Sequence, residues 1–266
     1  MCYKVISLCA MYDNPSFLEK NFNQDHITEY LKQAQFAELV ELKKQLVSMH
    51  KLIKKPITIL DIGVGDGRMI KHLCQIEEIW NLILKYDGID DAQNCIEESN
   101  KLIDNFNLQD KVNIIKLDAV NLKQLNKKYD LIICTWFTAG NFYPDDFQFD
   151  NYGQSKIDYC VAKNPKFETI FKQAYGLLND DGKIVLGSVY IDNKTTKKHQ
   201  EAYYIKCDWQ LITHKKDSFA ATKEHYWSQR FTKKRIYDYF YFVDKSKIKF
   251  INLDTYKYAM QVVISK

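Results

Sequence analysis

Three glycines lie within five residues of this chain, in the string Asp61-Ile62-Gly63-Val64-Gly65-Asp66-Gly67, although the whole sequence holds only 9. Glycine carries no Cβ, so such a turn lets a ligand come close to the backbone and aims the start of the following helix at it. The spacing narrows the choice of ligand. A dinucleotide fingerprint needs glycine at position 68, where Arg68 stands, and a phosphate-cradling loop needs a Gly-Lys-Ser/Thr ending that is absent. Asp61, two residues before the first glycine, is badly placed for a pyrophosphate and well placed for a ligand with a positive amino group. Further acids close later apolar runs: Asp90, 23 residues beyond Gly67, with Asp91 after it, and Asp118, followed by Ala119.

No second constellation suggests catalysis or metal binding. The six histidines (His26, His50, His72, His199, His214, His225) form no i,i+4 pair of the metal-ligating kind. The seven cysteines are odd in number and include no C-x-x-C, which argues against a disulfide framework and against a cysteine zinc site. We therefore expect no metal, and the catalytic residue stays unassigned at this level. No apolar run approaches the roughly 18 residues of a membrane span, and the opening MCYKVISLCAM has Lys4 inside it and no cleavage site. A reduced, cytoplasmic protein is the expectation.

The glycine turn has to be held by a strand before it and a helix after it, and the sequence supplies both. ITILDIG (57–63) is an apolar run, and GDGRMIKHLCQI turns helical. YDGID (86–90) precedes a helix over AQNCIEESNKLIDNF, KVNIIKLDA (111–119) and YDLIICTWF (129–137) read as strands, and FETIFKQAYGLL (167–178) reads as an amphipathic helix. A turn at NDDG then leads into the strand KIVLGSVYI (183–191). Short apolar strands alternating with helices imply a doubly wound, mostly parallel sheet covered on both faces. Ahead of it, residues 16–55 read as one or two helices, with Ile27, Leu31, Phe36, Leu39, Leu42 and Leu46 near a 3.6-residue period and a break near His26. At the other end, KIKFINLD (247–254) and YKYAMQVVISK (256–266) are too close for anything but a hairpin, so the last strand runs antiparallel. Residues 193–229 mix polar and aromatic residues without helical period and read as an insertion of two or three antiparallel strands.

ILDIGVGDGR resembles motif I (D-x-G-x-G-x-G) of the class I S-adenosylmethionine-dependent methyltransferases, and the later motifs follow in order over residues 57–191 and 231–266. The resemblance implies a seven-stranded, Rossmann-like α/β sheet with its antiparallel last strand inserted between the fifth and sixth. It implies S-adenosylmethionine as cofactor and S-adenosylhomocysteine as product. The carried-over cofactor residues are Asp61, Gly63, Gly65 and Gly67 of the turn; Asp90, matching the acid that binds the ribose hydroxyls, with Asp91; Asp118 and Ala119, matching the pair that recognises the adenine amino group; and Cys134 and Thr135, where the fourth strand passes under the methionine part. Asn121 is a further candidate for the adenine side. The family's L-x-P-G-G turn departs here to Asp181-Gly182.

A domain of this kind over residues 1–266 divides into a helical cap or lid (1–55), a cofactor-binding core (56–192), a substrate-side insertion (193–229) and a closing helix and hairpin (230–266). Substrate choice falls to the parts outside the core: Tyr12, Phe17 and Tyr30 in the cap, Trp136, Asn141 and Tyr143 after the fourth strand, and His225 and Trp227 in the insertion, near Tyr203, Tyr204, Trp209 and Tyr226. Aromatic walls of this kind hold a cation or a planar substrate. The exocyclic-amine motif N-P-P-Y or D-P-P-Y is missing after that strand. Residues 193–266 carry 16 Lys and Arg against 7 Asp and Glu, which keeps RNA or protein methylation as the alternative. The expected activity is methyl transfer to an oxygen or nitrogen of a small molecule, with no membrane partner. A non-catalytic cofactor-binding protein and a dinucleotide oxidoreductase are the remaining alternatives.

Overall fold

The computed structural model describes residue 12, residues 29–158 and residues 161–266. Helix α1 (Glu29–Ile53) turns its Leu31, Ala34, Leu42, Leu46 and Met49 inward, while Phe36 lies on its exposed side. Lys54 leaves the helix in a left-handed conformation (φ 54°) and Pro56 bars its continuation. The break expected near His26 lies outside the described residues.

Five parallel strands form the centre: β1 (Ile57–Ile62), β2 (Ile83–Asp90), β3 (Val112–Lys116), β4 (Tyr129–Cys134) and β5 (Leu178–Ile191), in the spatial order β3-β2-β1-β4-β5. The connecting helices are α2 (Arg68–Cys74), α3 (Glu77–Trp80), α4 (Gln93–Phe106), α5 (Thr138–Asn141) and α6 (Pro165–Gly176). Side chains alternate across the sheet. Ile57, Ile59, Leu131, Ile133 and Val185 face α1 and α2, whereas Leu60, Ile62, Ile132, Cys134, Ile184 and Leu186 face α6. Chain order reverses on either side of β1, the position where open α/β sheets bind ligands beyond their strand ends.

The turn expected at NDDG is absorbed into β5. That strand begins at Leu178, and its register with β4 jumps from Tyr129–Leu178 to Leu131–Lys183, so residues 179–182 bulge out with Asp181 at φ 63°. The insertion also differs from expectation. Residues Lys194–Lys206 form helix α7, started by Asn193, whose Oδ1 accepts the Thr196 N–H at 2.8 Å. Its buried side is Thr196, Gln200 and Tyr204, a polar i, i+4, i+8 stripe that leaves no hydrophobic period to read. Only the remainder is antiparallel: β6 (Phe219–Ala221) pairs β7 (Trp227–Phe231), with an added bridge from Leu211 to Thr222.

After α8 (Lys233–Tyr239), β8 (Ile248–Asn252) and β9 (Ala259–Ser265) form the closing hairpin, and antiparallel β9 lies between β5 and β8 as expected. The sheet has nine strands rather than seven, because β7 also pairs in parallel with β5 at Tyr190 and Ile191. Since β9 already occupies one edge of β5 at Tyr190, β7 must take the other, beyond the point where β4 ends. The insertion is thereby set over the segment that follows β4.

Candidate functional site

The glycine turn follows β1 directly, and Gly63, Gly65 and Gly67 all have left-handed φ values (76°, 58° and 77°). Its donors are spent internally. The N–H groups of Gly63 and Val64 both bond Ile89 O at 2.9 Å, that of Gly65 bonds Asp90 Oδ2 at 3.0 Å, that of Gly67 bonds Val64 O at 3.1 Å and that of Arg68 bonds Asp66 Oδ1 at 3.1 Å. A phosphate cradle needs those groups free. The turn offers shape instead, and what surrounds it is acidic.

The cavity at the strand ends is lined by Glu38, Asp66, Asp90, Asp91 and Asp118, against Arg68 and Lys166. Asp90 Oδ1 also accepts the Ala92 N–H at 3.0 Å, so its carboxylate bridges the glycine turn and the start of α4. Burial, helped by the charges of Asp90 and Asp118, pushes Asp91 up to about 6. Asp118 ends the β3 segment and accepts the Val120 N–H at 3.1 Å. The cavity is therefore selective for neutral-polar or cationic ligands with hydroxyl and amino donors.

The loop after β4 forms a partition. Trp136 and Phe137 are consecutive aromatic residues with positive φ (53° and 61°), a conformation that costs on the order of 1–3 kcal/mol per residue and has to be held by its surroundings. Glu38 Oε1 accepts the Trp136 N–H at 2.8 Å, the Arg68 guanidinium lies 4.6 Å over the Trp136 ring, and Phe137 stacks on Tyr190 at 4.0 Å. Beyond the partition is a smaller chamber, about 40 Å³ against about 150 Å³, walled by Tyr190, Tyr203, Tyr204 and Tyr226. Tyr12, Trp136 and Asn141 border both spaces.

Of the residues expected on the cofactor side, Gly63, Gly65, Asp90, Asp91, Asp118, Ala119 and Thr135 line the larger cavity. Asp61, Gly67 and Cys134 do not. Asp61 shares its face of β1 with Ile57 and Ile59, points toward α1, and accepts the Tyr86 hydroxyl at 2.6 Å. Gly67 packs on Ser99 and Leu102 where α2 starts, and Cys134 is fully buried against α6. Of the substrate-side residues, Tyr12, Trp136, Asn141 and Tyr143 line the cavities, Tyr30 falls on α1, and Phe17 lies outside the described residues.

His225 and Trp227 line neither cavity. The His225 ring stacks on Phe149 and its Nε2 sits 3.2 Å from Asp150, while Trp227 packs on Phe219 and Phe147. Tyr226 between them faces the chamber, because the chain turns at His225, in a left-handed conformation (φ 66°), just before β7 begins at Trp227. Glu38, which lines the larger cavity, belongs to no sequence motif. Its signal was a charge on the apolar stripe of α1, between Ala34 and Leu42. Among the described residues no three His, Cys, Asp or Glu side chains group to hold a metal, and no helix is long and apolar enough to cross a membrane.

A family model described as a methyltransferase domain matches residues 53–243. Among solved structures, the chain resembles an S-adenosylmethionine-dependent methyltransferase from Clostridium acetobutylicum (12% identity, 94% of this chain and 96% of that one, TM-score 0.55). It also resembles magnesium protoporphyrin IX methyltransferase from Synechocystis with bound S-adenosylmethionine (10% identity, 98% and 96% covered, TM-score 0.56). A third likeness is to the plantazolicin methyltransferase BpumL in complex with S-adenosylhomocysteine (14% identity, 98% and 96% covered, TM-score 0.55). At these identities the structural likeness speaks for the fold, and no curated protein matches the sequence. With the strand order, the glycine turn and the domain match in agreement, this chain belongs to the methyltransferase-domain family, the class I Rossmann-like enzymes that depend on S-adenosylmethionine.

Proposed function

We propose that this protein transfers a methyl group from S-adenosylmethionine to an oxygen or nitrogen of a small molecule by in-line displacement. The cofactor supplies an activated methyl on a sulfonium leaving group, so the protein's work is alignment and the exclusion of water. Gly63 and Gly65 provide the concave turn, Asp90 and Asp91 the acceptors beside it, Asp118 and Ala119 the side toward β3, and Thr135 the side toward β4. Asp90→Ala removes an acceptor for ligand hydroxyls and the anchor of the Gly65 N–H together. It is expected to weaken S-adenosylhomocysteine binding by about 1.5–3 kcal/mol, roughly 10- to 150-fold by calorimetric titration.

The tyrosine chamber carries the small-molecule reading. It is narrow, no charged side chain lines it among the described residues, and it has room for roughly three waters at ~15 Å³ each, enough for a head group and too little for a polymer strand. Asn141 is buried there with its Oδ1 left without a hydrogen-bond partner, an acceptor waiting for a donor. Burial raises Tyr226 to about 12, with hydrogen bonds from Tyr204, Asn141 and Ser228 opposing the rise, so the wall is neutral at physiological pH.

The test is transfer of labelled methyl from S-adenosylmethionine into a fractionated small-molecule extract, into RNA and into protein. Label in the small-molecule fraction is expected. Label only in a polymer would overturn the reading in favour of the basic C-terminal quarter. Asn141→Leu is expected to cut small-molecule turnover at least ~10-fold by leaving the donor unpaired, while S-adenosylhomocysteine affinity stays within about twofold (~0.4 kcal/mol).

A further inference from the structure

Two buried carboxylates, Glu38 and Asp61, lie behind the partition close enough for the charge of one to act on the other, and among the described residues neither forms an ion pair. Glu38 comes from α1, outside the strand-and-helix core that makes the glycine turn. It lines the cofactor cavity and is 2% exposed. Its Oε1 accepts both the Trp136 N–H and the Ser188 hydroxyl at 2.8 Å, and no described donor reaches Oε2. Gly187 has to be glycine for this arrangement, since a Cβ there would stand 2.2 Å from Oε1. Asp61, at the end of β1, is 1% exposed and gives one oxygen to the Tyr86 hydroxyl, while Oδ1 has no partner. So many acceptor sites in so little solvent are out of place in a purely structural contact.

We propose that Glu38, backed by Asp61, is the part of this cavity that recognises the positive charge of the cofactor, and that filling the cavity drives a proton out of the pair. The inference rests on the S-adenosylmethionine reading of the same cavity. The groups facing the pair are few. Arg68 on α2 acts favourably on Glu38 but is engaged with Asp66 at 3.7 Å. Asp90 at the end of β2 adds negative charge beside Asp61, the Cys134 thiol at the end of β4, pushed up by burial, feels the charge of both acids, and Tyr86 on β2 donates to Asp61. Burial is the first cause on both carboxylates and lifts each to about 7, with Glu38 contributing to the rise on Asp61.

The sign of the linkage follows. Below pH 7 the empty pair keeps its protons, which a positive ligand has to displace. Above that pH the ionised form is already present. One displaced proton makes affinity rise with pH up to the acid's own value and level off beyond it, about tenfold between pH 6 and pH 8 for a group near 7. A merely structural Glu38 would leave only the smaller rise, about twofold over the same range, that Asp91 in the same cavity contributes from its value of about 6.

The test is isothermal titration of wild-type protein and Glu38→Gln with S-adenosylmethionine at pH 6, 7 and 8, each in two buffers of different ionisation enthalpy. For the wild type, affinity is expected to rise about tenfold across the range, with release of close to one proton at pH 6. For Glu38→Gln, the rise is expected to shrink to threefold or less, with affinity at pH 8 down by about tenfold for the lost charge contact and no loss of melting temperature. Should the variant misfold, the proton count of Asp91→Asn decides, since release of close to one proton at pH 6 then comes from the Glu38–Asp61 pair. Tight wild-type binding with a flat pH profile and no proton released would overturn the inference and leave the cofactor reading standing. No binding of S-adenosylmethionine at any pH would overturn both.

Discussion

Gly63→Val is expected to remove measurable S-adenosylhomocysteine binding, a loss of more than about 100-fold or roughly 2.7 kcal/mol. Two effects add. At φ 76° the position suits glycine, and a β-branched residue there costs on the order of 1–2 kcal/mol before any contact is counted. In addition, a Cβ would stand 2.6 Å from Thr138 Cγ2, so one of the two must move. Thr138 opens α5 directly after the strained Trp136–Phe137 pair, and it lines the same cavity. The displacement is therefore passed to the partition between the two cavities. Calorimetric titration measures the loss, and a thermal melt shows that the rest of the fold persists. Gly63→Ala combined with Thr138→Ser removes the methyl that clashes and keeps the backbone penalty, so partial recovery separates the two causes. Unchanged affinity in Gly63→Val would reject the turn as the cofactor cradle.

Arg230→Ala is expected to destabilise the protein by about 3–5 kcal/mol, the usual cost of leaving a buried ionic network without its cation. Arg230 on β7 is fully buried. Its Nη1 donates to Gln200 Oε1 on α7 at 2.6 Å, Nη2 donates to the Asp217 and Phe219 carbonyls, and Nε lies 3.4 Å from Asp192 at the end of β5. One guanidinium thus ties the helix, the hairpin and the central sheet together. Alanine would leave two carbonyls, an amide and a carboxylate facing a void. Urea unfolding should show a lower midpoint at an unchanged slope. Arg230→Lys should recover only part of the loss, because an ammonium cannot serve these divergent acceptors as a planar fork does. A loss below 1 kcal/mol in Arg230→Ala would mean that hydrophobic packing alone holds the insertion. The chamber depends on this junction, since Tyr226 precedes β7 and Tyr203 and Tyr204 sit on α7.

What could be read without the structure was local in origin. The glycine turn, the short apolar strands and the acids closing β2 and β3 are patterns a few residues long, and each keeps its meaning wherever the chain goes next. Where the pattern carried no period the reading went astray. The buried side of α7 is polar, so no hydrophobic period along its sequence marks the helix. In the stretch 225–227 the aromatic character is plain, but the left-handed turn at His225 before β7 sets which ring meets the chamber, and it is Tyr226 rather than His225 or Trp227.

The amino-acid order alone determined the sheet, the turn and the class of ligand, because backbone geometry and hydrophobic alternation act over short distances. Only the tertiary structure decided which carboxylate lines the cavity. Asp61 is the legible acid, yet strand alternation turns it toward α1, while Glu38 gains its place from Trp136 and Ser188, 98 and 150 residues away. Burial and electrostatic coupling depend on distance in space, and no spacing along the chain encodes that.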